Sequence, residues 1–303
     1  MAKKILITGA SGLVGTRLTE ILLQKGFVVS HLGRGHKLGK VPSYVWNVER
    51  GTMDPLALTD VDCIIHLAGT GVADKRWTSA RKKEILDSRI QSTALLYREL
   101  KKSNHSVKGF VSASAIGYYG VDMGEEWVTE NSRPGTDFLA LVVRQWEEEA
   151  EKIKSLGVRV VKLRIGIVLS EKGGALKSMT TPIQWGFGAA LGNGKQYLSW
   201  IHIDDLCALF IKAAEDDEMK DVYNAVGNQP VTNTELTKVI AKVLKKSLWL
   251  PAVPGFVLKL LLGEMAGIVI FGSKVSSAKI ERTGFQYQFS ELEVALKNLY
   301  LRN

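Results

Sequence analysis

Three glycines near the start of the chain have the spacing needed to hold a phosphate group. They are Gly9, Gly12 and Gly15, in the segment TGASGLVG. An apolar run, Ile5–Ile7, precedes them, and apolar residues at helical spacing follow. A strand, a glycine-rich turn and a helix in this order expose backbone N–H groups at the positive end of a helix dipole, where a pyrophosphate binds. The predicted contacts of this turn are Gly9, Ser11, Gly12, Leu13, Val14 and Gly15. An ordinary strand–helix loop is the alternative interpretation.

A basic residue follows the second predicted strand, which covers residues 27–32. Proteins that bind an unphosphorylated dinucleotide usually carry Asp or Glu at this place, whereas an Arg accommodates a 2′-phosphate. The residue here is Arg34, with His36 and Lys37 as helpers. The sequence therefore favours NADP(H) over NAD(H). A solvated basic turn is the alternative.

Another buried strand is predicted from Asp62, and it ends on the small residues Ala68 and Gly69. Small residues at a strand end leave room for a ligand to pass close to the backbone. Leu67, Ala68 and Gly69 are therefore further predicted contacts of the cofactor.

The composition bounds the class of protein. The chain has 303 residues, 46% of them hydrophobic and 23% charged, which is typical of a globular protein. The beginning of the chain does not resemble a signal peptide, and the most apolar segment, 253–271, is too interrupted by polar residues for a membrane span. Cys63 and Cys207 lie within apolar patterns and are expected to be buried thiols in a reducing compartment. These features favour a cytoplasmic protein without a membrane partner.

The net charge of +9 has two interpretations. Basic residues can bind nucleic acid, but here they are scattered and no nucleic-acid motif accompanies them. Attraction of an anionic small molecule is an equally good use of the charge. The five histidines are dispersed, so no metal site is expected. We therefore expect a small-molecule substrate and no nucleic acid.

Strands alternate with helices along most of the chain, which predicts an α/β fold with a Rossmann-type, doubly wound parallel sheet. Further strands are predicted at 44–48, 108–113, 158–163, 200–203 and 221–226. Helices are predicted at 80–102, 138–156, 204–215 (with Asp204 as its cap), 232–243, 253–271 and 290–300. A glycine- and aromatic-rich stretch without a long period, within 171–198, is expected to form a lid or substrate loop. The predicted division is a nucleotide-binding domain at 1–170, completed by 199–227, and a smaller substrate-side α/β domain at 171–198 and 228–303.

A series of segments in a fixed order resembles one protein family along the whole chain. They are TGASGLVGTRL, HLAG, ADKRW, SRIQST, SASAIGYYG, FLALVVRQWEEEA, LRIGIVLSEKGGAL and SWIHIDDL. The chain resembles the extended short-chain dehydrogenases/reductases, and within them an atypical, cell-division inhibitor-like branch of nucleotide-sugar epimerase homologues. The resemblance implies an NADP-binding Rossmann domain and a distinctive C-terminal domain. It also implies a homodimer, which would form through the helices at 80–102 and 138–156.

The chain departs from this superfamily at the catalytic positions. Its active members use a Ser or Thr and a YxxxK pair, in which the Tyr exchanges a proton and the Lys lowers the Tyr pKa. Aligning Tyr119-Gly120 with the Tyr-Gly of the family puts Ala115 at the Ser/Thr position, beside Ser114. The YxxxK positions fall on Phe138 and Val142, neither of which can carry out that chemistry.

Several residues are candidates to replace the missing pair. The catalytic candidates are Ser114, Tyr118 and Tyr119. Lys75, Arg76, Trp77, Arg89 and His202 are candidates for substrate binding, and Arg164 for cofactor binding. The alternative is packing for the two tyrosines, a backbone hydrogen bond for Ser114, and packing or a local hydrogen bond for His202. It is a solvated loop for Lys75, Arg76 and Trp77, and a structural ion pair for Arg164. The sequence thus predicts an NADP(H)-dependent oxidoreductase or epimerase, or alternatively a non-catalytic NADP(H) sensor or partner-binding protein that lost the proton-transfer pair.

Overall fold

The computed structural model of the protein describes residues 3–36, 39–120 and 124–301. The strands are β1 (Lys4–Thr8), β2 (Val28–Gly33), β3 (Ser43–Asn47), β4 (Thr52–Met53), β5 (Cys63–His66), β6 (Gly109–Ala115), β7 (Trp127–Val128), β8 (Arg159–Ile165), β9 (Ile167–Leu169), β10 (Tyr197–Leu198), β11 (Trp200–His202), β12 (Asp221–Ala225), β13 (Val231–Thr232) and β14 (Lys274–Val275). The α-helices are α1 (Leu13–Gln24), α2 (Ser79–Lys102), α3 (Phe138–Glu151), α4 (Gly174–Gln184), α5 (Ile203–Glu215), α6 (Asn233–Val243), α7 (Gly255–Leu262), α8 (Ala266–Ile270), α9 (Ala278–Glu281) and α10 (Leu292–Tyr300).

Eight of the strands in the described ranges form one sheet, in the order β12-β8-β6-β5-β1-β2-β3-β4. Its pairs are parallel except for the short antiparallel pair of β3 with β4. This confirms the predicted Rossmann-type, doubly wound α/β fold. The strand order reverses at β1, which pairs with β2 on one side and β5 on the other. In open sheets of this kind, ligands bind beyond the carboxyl ends of the strands at such a reversal.

The sheet is buried on both faces, as the apolar run in β1 predicts. Ile5 and Ile7 belong to one apolar core, which also contains buried residues of α1 and α5. Leu6, which points to the opposite face, belongs to a second core with buried residues of α2 and α3. Because successive residues of a strand point to opposite faces, one strand contributes to both cores.

The segment predicted as an irregular lid contains a helix, α4. Its buried residues are Leu176, Thr180 and Ile183, which follow helical spacing. The prediction of a stretch without regular structure was therefore wrong here, because the surrounding glycines and the internal Pro182 mask a short amphipathic pattern.

The apolar helix predicted over 253–271 is broken into α7 and α8. Between them Gly263 has a φ of +61° and begins a short 3-10 turn, Gly263–Met265. A positive φ is compatible with glycine and ends the α-helix at that point. The segment is thus a bend, and Glu264 lies within its turn.

Other predicted helices and strands are present, but their first or last residues differ from the prediction. The helix predicted at 138–156 is α3 followed by a 3-10 helix, Lys152–Leu156, and β11 pairs with β9 outside the large sheet. The cap of α5 is His202 instead of Asp204.

No helix among the described residues has both the length and the apolar character needed to cross a bilayer. The two-domain division stays a prediction.

Candidate active site

The glycine turn between β1 and α1 packs so tightly that side chains are excluded. Gly9 has a φ of +68°, and a β-carbon there would lie 2.8 Å from the carbonyl carbon of Leu67. A β-carbon at Gly15 would lie 2.5 Å from the Gly9 carbonyl oxygen. Since both distances are shorter than a van der Waals contact, glycine is required at both positions. The spacing seen in the sequence therefore has a steric cause.

The first turn of α1 is open to an anionic ligand. Gly12 caps the helix without a side-chain hydrogen bond, and no acidic residue lies in the first turn. Ser11 and Gly12 are exposed, and a cavity of about 350 Å³ opens beside them. The first N–H groups of an α-helix have no partner within it, and they lie at the positive end of its dipole. These residues fit the pyrophosphate of a dinucleotide.

The carboxyl ends of β2 and β5 lie on either side of the glycine turn. The register of the parallel strands pairs Thr8 with Leu32 and with His66, so Gly9, Gly33 and Leu67 lie side by side at one edge of the sheet. Arg34 follows on β2 and is exposed. Nδ1 of His36 lies 3.0 Å from the Ser43 carbonyl oxygen, and Lys37 is outside the described residues.

The segment after β5 is held against the glycine turn by Thr8. Its hydroxyl accepts hydrogen bonds of 3.2 Å from the N–H groups of both Leu67 and Ala68. Gly69 follows, and a β-carbon there would lie 3.2 Å from the Arg89 guanidinium carbon. The predicted contacts at 67–69 are thus brought beside the turn, on the side away from Arg34.

His66, which was not among the predicted site residues, stabilises the end of β5 through buried hydrogen bonds. It is fully buried, with Nδ1 2.7 Å from the Thr8 hydroxyl and Nε2 3.1 Å from that of Thr93. Burial lowers its pKa to about 3, so the ring is neutral at physiological pH. A polar residue at the end of an apolar strand was the only sequence signal for this role.

Arg164 forms a buried ion pair instead of the predicted cofactor contact. Its Nε and Nη2 each donate a hydrogen bond of 2.8 Å to the Glu147 carboxylate, and its side chain is 3% exposed. Nη1 donates to the Tyr119 hydroxyl at 3.0 Å. Because protein atoms occupy these donors, the structure does not support a direct contact between Arg164 and a cofactor. The alternative of a structural ion pair holds.

Two predicted catalytic residues belong to the same buried network. Ser114 donates to Oε1 of Glu147 at 2.5 Å, and Tyr119 donates to Oδ1 of Asn224, also at 2.5 Å. Burial raises the pKa of Tyr119 to about 12, although Arg164 acts in the opposite direction. Both hydroxyls are thus used inside the protein, which argues against Tyr119 as an acid at neutral pH.

Tyr118 is the catalytic candidate that the structure leaves nearer the surface. It is half-buried, and its ring stacks on the Arg164 guanidinium, whose carbon lies 3.3 Å from the ring centroid. The cation orients the ring through its π face. Tyr118 remains available for a site above the end of β6.

A profile of the NAD dependent epimerase/dehydratase family matches residues 5–226. The chain belongs to this family. A second profile, described as a domain of unknown function, DUF1731, matches residues 253–299. The two together bear out the resemblance to an epimerase family with a distinctive C-terminal domain.

Named relatives share the full length of the chain. The epimerase family protein YfhF of Bacillus subtilis is 34% identical over 97% of both chains. A crystal structure of human epimerase family protein SDR39U1 with NADPH has a TM-score of 0.88 and 29% identity, and the match covers 99% of this chain and 100% of that one. The nucleoside-diphosphate sugar epimerase from Corynebacterium glutamicum has a TM-score of 0.81 and 30% identity over 99% of this chain and 58% of that one.

Within this epimerase-family fold, the positions aligned with YxxxK carry no acid or base. Val142 is buried, and Phe138 is half-buried at the start of α3. The Phe138 ring meets Trp77 edge to face, with 5.0 Å between centroids. Nζ of Lys82 lies 5.2 Å from the Phe138 centroid and 6.0 Å from that of Trp77. Lys82 could not be predicted from the sequence, because nothing in its local pattern separates it from surface lysines.

The predicted substrate residues fall into two groups. Lys75 and Arg76 are exposed beside the half-buried Trp77, and all three follow β5 at the carboxyl edge of the sheet. Arg89 forms hydrogen bonds with the backbone. Its Nη1 donates to the carbonyl oxygens of Thr70 at 3.0 Å and Ile85 at 2.9 Å. Burial lowers its pKa to about 10. It therefore supports the loop over residues 69–71.

His202, a predicted substrate residue, makes its contacts within the protein. It is fully buried and accepts the N–H of Asp204 at 3.1 Å as the cap of α5. Its ring packs on Phe289 with 3.9 Å between centroids. Capping and packing account for its position. Among the described residues, no group of three or more His, Cys, Asp or Glu side chains is arranged to hold a metal ion.

Proposed function

We propose that the chain is an NADP(H)-dependent oxidoreductase or epimerase that acts on a small polar substrate, such as a phosphorylated compound or a nucleotide sugar. The observation that carries the proposal is the uncapped first turn of α1, which lies beside Arg34 at the same sheet edge. An open helix N-terminus suits a pyrophosphate, and a guanidinium suits a 2′-phosphate. The NADPH in the human SDR39U1 structure supports the same assignment.

Each element of the edge would have a separate role. The N–H groups of Ser11 and of residues 13–15 would hold the pyrophosphate, since the Gly12 N–H donates to the Gly9 carbonyl oxygen. Arg34 would pair with the 2′-phosphate, and residues 67–69 would line the path towards the nicotinamide. When bound, that ring supplies or takes up a hydride. Tyr118 would lie near the reacting oxygen, supported from below by Arg164.

Lys75, Arg76 and Trp77 would receive the substrate. The two cations are exposed and would attract an anionic group, while the indole offers an apolar surface for a flat one. The net charge of +9 supports an anionic substrate in the same way.

The cofactor half can be tested by titrating the protein with NADPH and NADH while nicotinamide fluorescence is followed. Wild type should prefer NADPH, and Arg34→Ala should lower that preference by about tenfold to a hundredfold, the range for a charge-assisted pair. Arg282→Ala is the control, because Arg282 is exposed in the C-terminal segment. An unchanged preference in Arg34→Ala would show that the assignment of this residue is wrong.

A second candidate function is an NADP(H)-binding sensor or partner-binding protein without turnover. The aromatic and aliphatic side chains at Phe138 and Val142 favour it, since neither exchanges a proton. The exposed cations after β5 favour an enzyme. Incubating the protein with NADPH and a panel of carbonyl compounds and nucleotide sugars separates the two. Tight binding without any turnover would support the sensor.

We also propose a cytoplasmic protein that forms a homodimer through α2 and α3. Both cysteines are buried free thiols, as suits a reducing compartment. The half-exposed Leu141 on α3 supports an interface there. Light scattering of the purified protein would report one mass for a dimer and half that mass for a monomer.

A further inference from the structure

Lys82 connects α2 with the turn between α7 and α8, in the C-terminal part of the chain. Lys82, on the first turn of α2, forms an ion pair with Glu264, which lies in the turn between α7 and α8. Its ammonium also lies over the rings of Phe138 and Trp77. We call these four residues the Lys82 cluster.

The topology puts this cluster at the ligand-binding edge. α2 is the next helix after β5 and α3 the next α-helix after β6, and these two strands are parallel neighbours. Lys82 lies in the first turn of α2, and Phe138 begins α3. The glycine turn follows β1, which is the other neighbour of β5. Two strand spacings of about 4.8 Å separate β1 from β6. A dinucleotide with its pyrophosphate at β1 would extend along this edge towards β5 and β6, the strands that precede α2 and α3.

The turn between α7 and α8 contacts the cluster and the residues beside it. Arg76 packs against the same turn, since a β-carbon at Gly263 would lie 3.1 Å from Nε of Arg76. Lys82 and Glu264 keep 29% and 64% of their side chains exposed. The pair is thus partly shielded by aromatic rings on one side and open to solvent on the other.

Lys82 is the group in this cluster whose head group carries several N–H donors beside the two rings. The rings of Phe138 and Trp77 offer no labile proton suited to acid catalysis, and the Glu264 carboxylate is an acceptor when ionised. An ammonium has three N–H donors, of which the pair with Glu264 uses one. The remaining donors can serve a substrate oxygen, since 29% of the Lys82 side chain is exposed.

We propose that Lys82 is the proton donor of the reaction, and that it acts on the carbonyl oxygen of a small carbonyl substrate lying on Phe138 and Trp77. This rests on the proposed oxidoreductase function. As a hydride from the reduced coenzyme adds to the carbonyl carbon, the C=O π pair takes a proton from the Lys82 ammonium and forms an O–H bond. The carbonyl compound is reduced to an alcohol, the coenzyme is oxidised, and the neutral Lys82 amine regains a proton from water.

Glu264 is a positioning residue in this scheme. Its carboxylate holds the ammonium over the rings, and it lies in the C-terminal part of the chain, whose function its family profile leaves open. Glu264→Gln keeps the shape and removes the charge. It should weaken catalysis by about tenfold while leaving affinity for NADPH unchanged, since Glu264 lies away from the glycine turn.

The experiment compares Lys82→Met, Lys82→Arg and Lys83→Met. Lys83 is the matched control, because it is exposed on the same helix and pairs with Asp87. Turnover of NADPH with carbonyl compounds should fall about a hundredfold or more in Lys82→Met, the usual contribution of an acid catalyst. It should fall similarly in Lys82→Arg, because a guanidinium keeps its charge and does not release a proton. Lys83→Met should match wild type, and all variants should bind NADPH within about twofold of wild type.

A second measurement does not depend on turnover. Reductive methylation with ¹³C-formaldehyde labels the lysines, and the Lys82 signal is assigned by its loss in Lys82→Arg. Ring currents from Phe138 and Trp77 should displace this signal from that of Lys83, and adding NADPH should shift the Lys82 signal and leave that of Lys83 unmoved.

The outcomes separate this inference from the proposed function. Turnover that persists in Lys82→Met, or a Lys82 signal that NADPH leaves unmoved, overturns the role of Lys82 while the enzyme proposal stands. A wild type that binds NADPH and turns over none of the carbonyl compounds overturns both. Loss of NADPH binding in Lys82→Met would instead indicate a cofactor contact and also contradict proton donation.

Discussion

Arg164 and Glu147 join β8 to α3 in the protein interior through two parallel hydrogen bonds of 2.8 Å, Nε to Oε1 and Nη2 to Oε2. The same guanidinium underlies the ring of Tyr118 and donates to the hydroxyl of Tyr119. Arg164, which was predicted from the sequence as a cofactor ligand, therefore connects β8, α3 and the two tyrosines after β6.

Breaking this ion pair should destabilise the fold. Glu147→Gln leaves the buried Arg164 charge without its counter-charge, and loss of one partner of a buried pair costs about 3 to 5 kcal/mol. The midpoint of urea unfolding measures the effect. Glu148→Gln is the control, since Glu148 is 65% exposed and its contact with Arg144 is 3.7 Å long. Equal midpoints for the two variants would contradict a structural role for the pair.

The glycine turn allows a second paired comparison. Gly9→Ala adds a β-carbon 2.8 Å from the Leu67 backbone at a positive φ, whereas Gly26→Ala adds one at a φ of +82° with nothing within 4 Å. Both should lose roughly 1 kcal/mol or more of stability from the left-handed conformation. In a fluorescence titration, Gly9→Ala should also bind NADPH at least about tenfold more weakly. Similar affinities in the two variants would show that the turn does not hold the cofactor.

Local pattern was enough to predict the sheet and its glycine turn. Ile5–Ile7 is a strand, and α2 spans Ser79–Lys102 against a predicted 80–102. These elements depend on periodicity, turn glycines and caps, all of which lie within a few residues. The bend at Gly263 and the helix α4 were not predicted, because their glycines and prolines suggest breaks whose places only tertiary packing decides.

The residues of the candidate site could be predicted only where residues close together in the sequence form the site. The turn residues Gly9–Gly15 are contiguous, and Arg34 follows from the end of the next strand. The partners of Arg164 and Lys82 come from other elements, and Glu264 is far from Lys82 in sequence. A single sequence does not reveal which distant charges meet, so the choice between a cofactor contact and an ion pair for Arg164 stayed open and Lys82 was not predicted.

Tyr119→Phe should affect stability more than chemistry. Removing the hydroxyl leaves Asn224 and one Arg164 donor without their 2.5 Å and 3.0 Å hydrogen bonds, which costs about 1 to 3 kcal/mol. Tyr118→Phe should change the free energy of unfolding by no more than about 0.5 kcal/mol, since its ring still stacks on Arg164. Thermal unfolding and NADPH turnover are measured on both. A large loss of turnover with unchanged stability in Tyr119→Phe would restore Tyr119 as a catalytic residue.

His66 should make the stability of the protein depend on pH in the acid range. Its pKa is lowered from 6.5 to about 3 by burial, so the unfolded state binds the proton more readily than the folded state. Its contribution is complete above pH 6.5 and is lost as the pH falls from there towards 3, which amounts to about 2 kcal/mol between pH 7 and pH 5. Urea unfolding of wild type and His66→Gln over this range measures the slope, which should be smaller in the variant. The exposed His36 provides the control, and an equal slope in wild type and His66→Gln would mean that His66 is not buried in its neutral form.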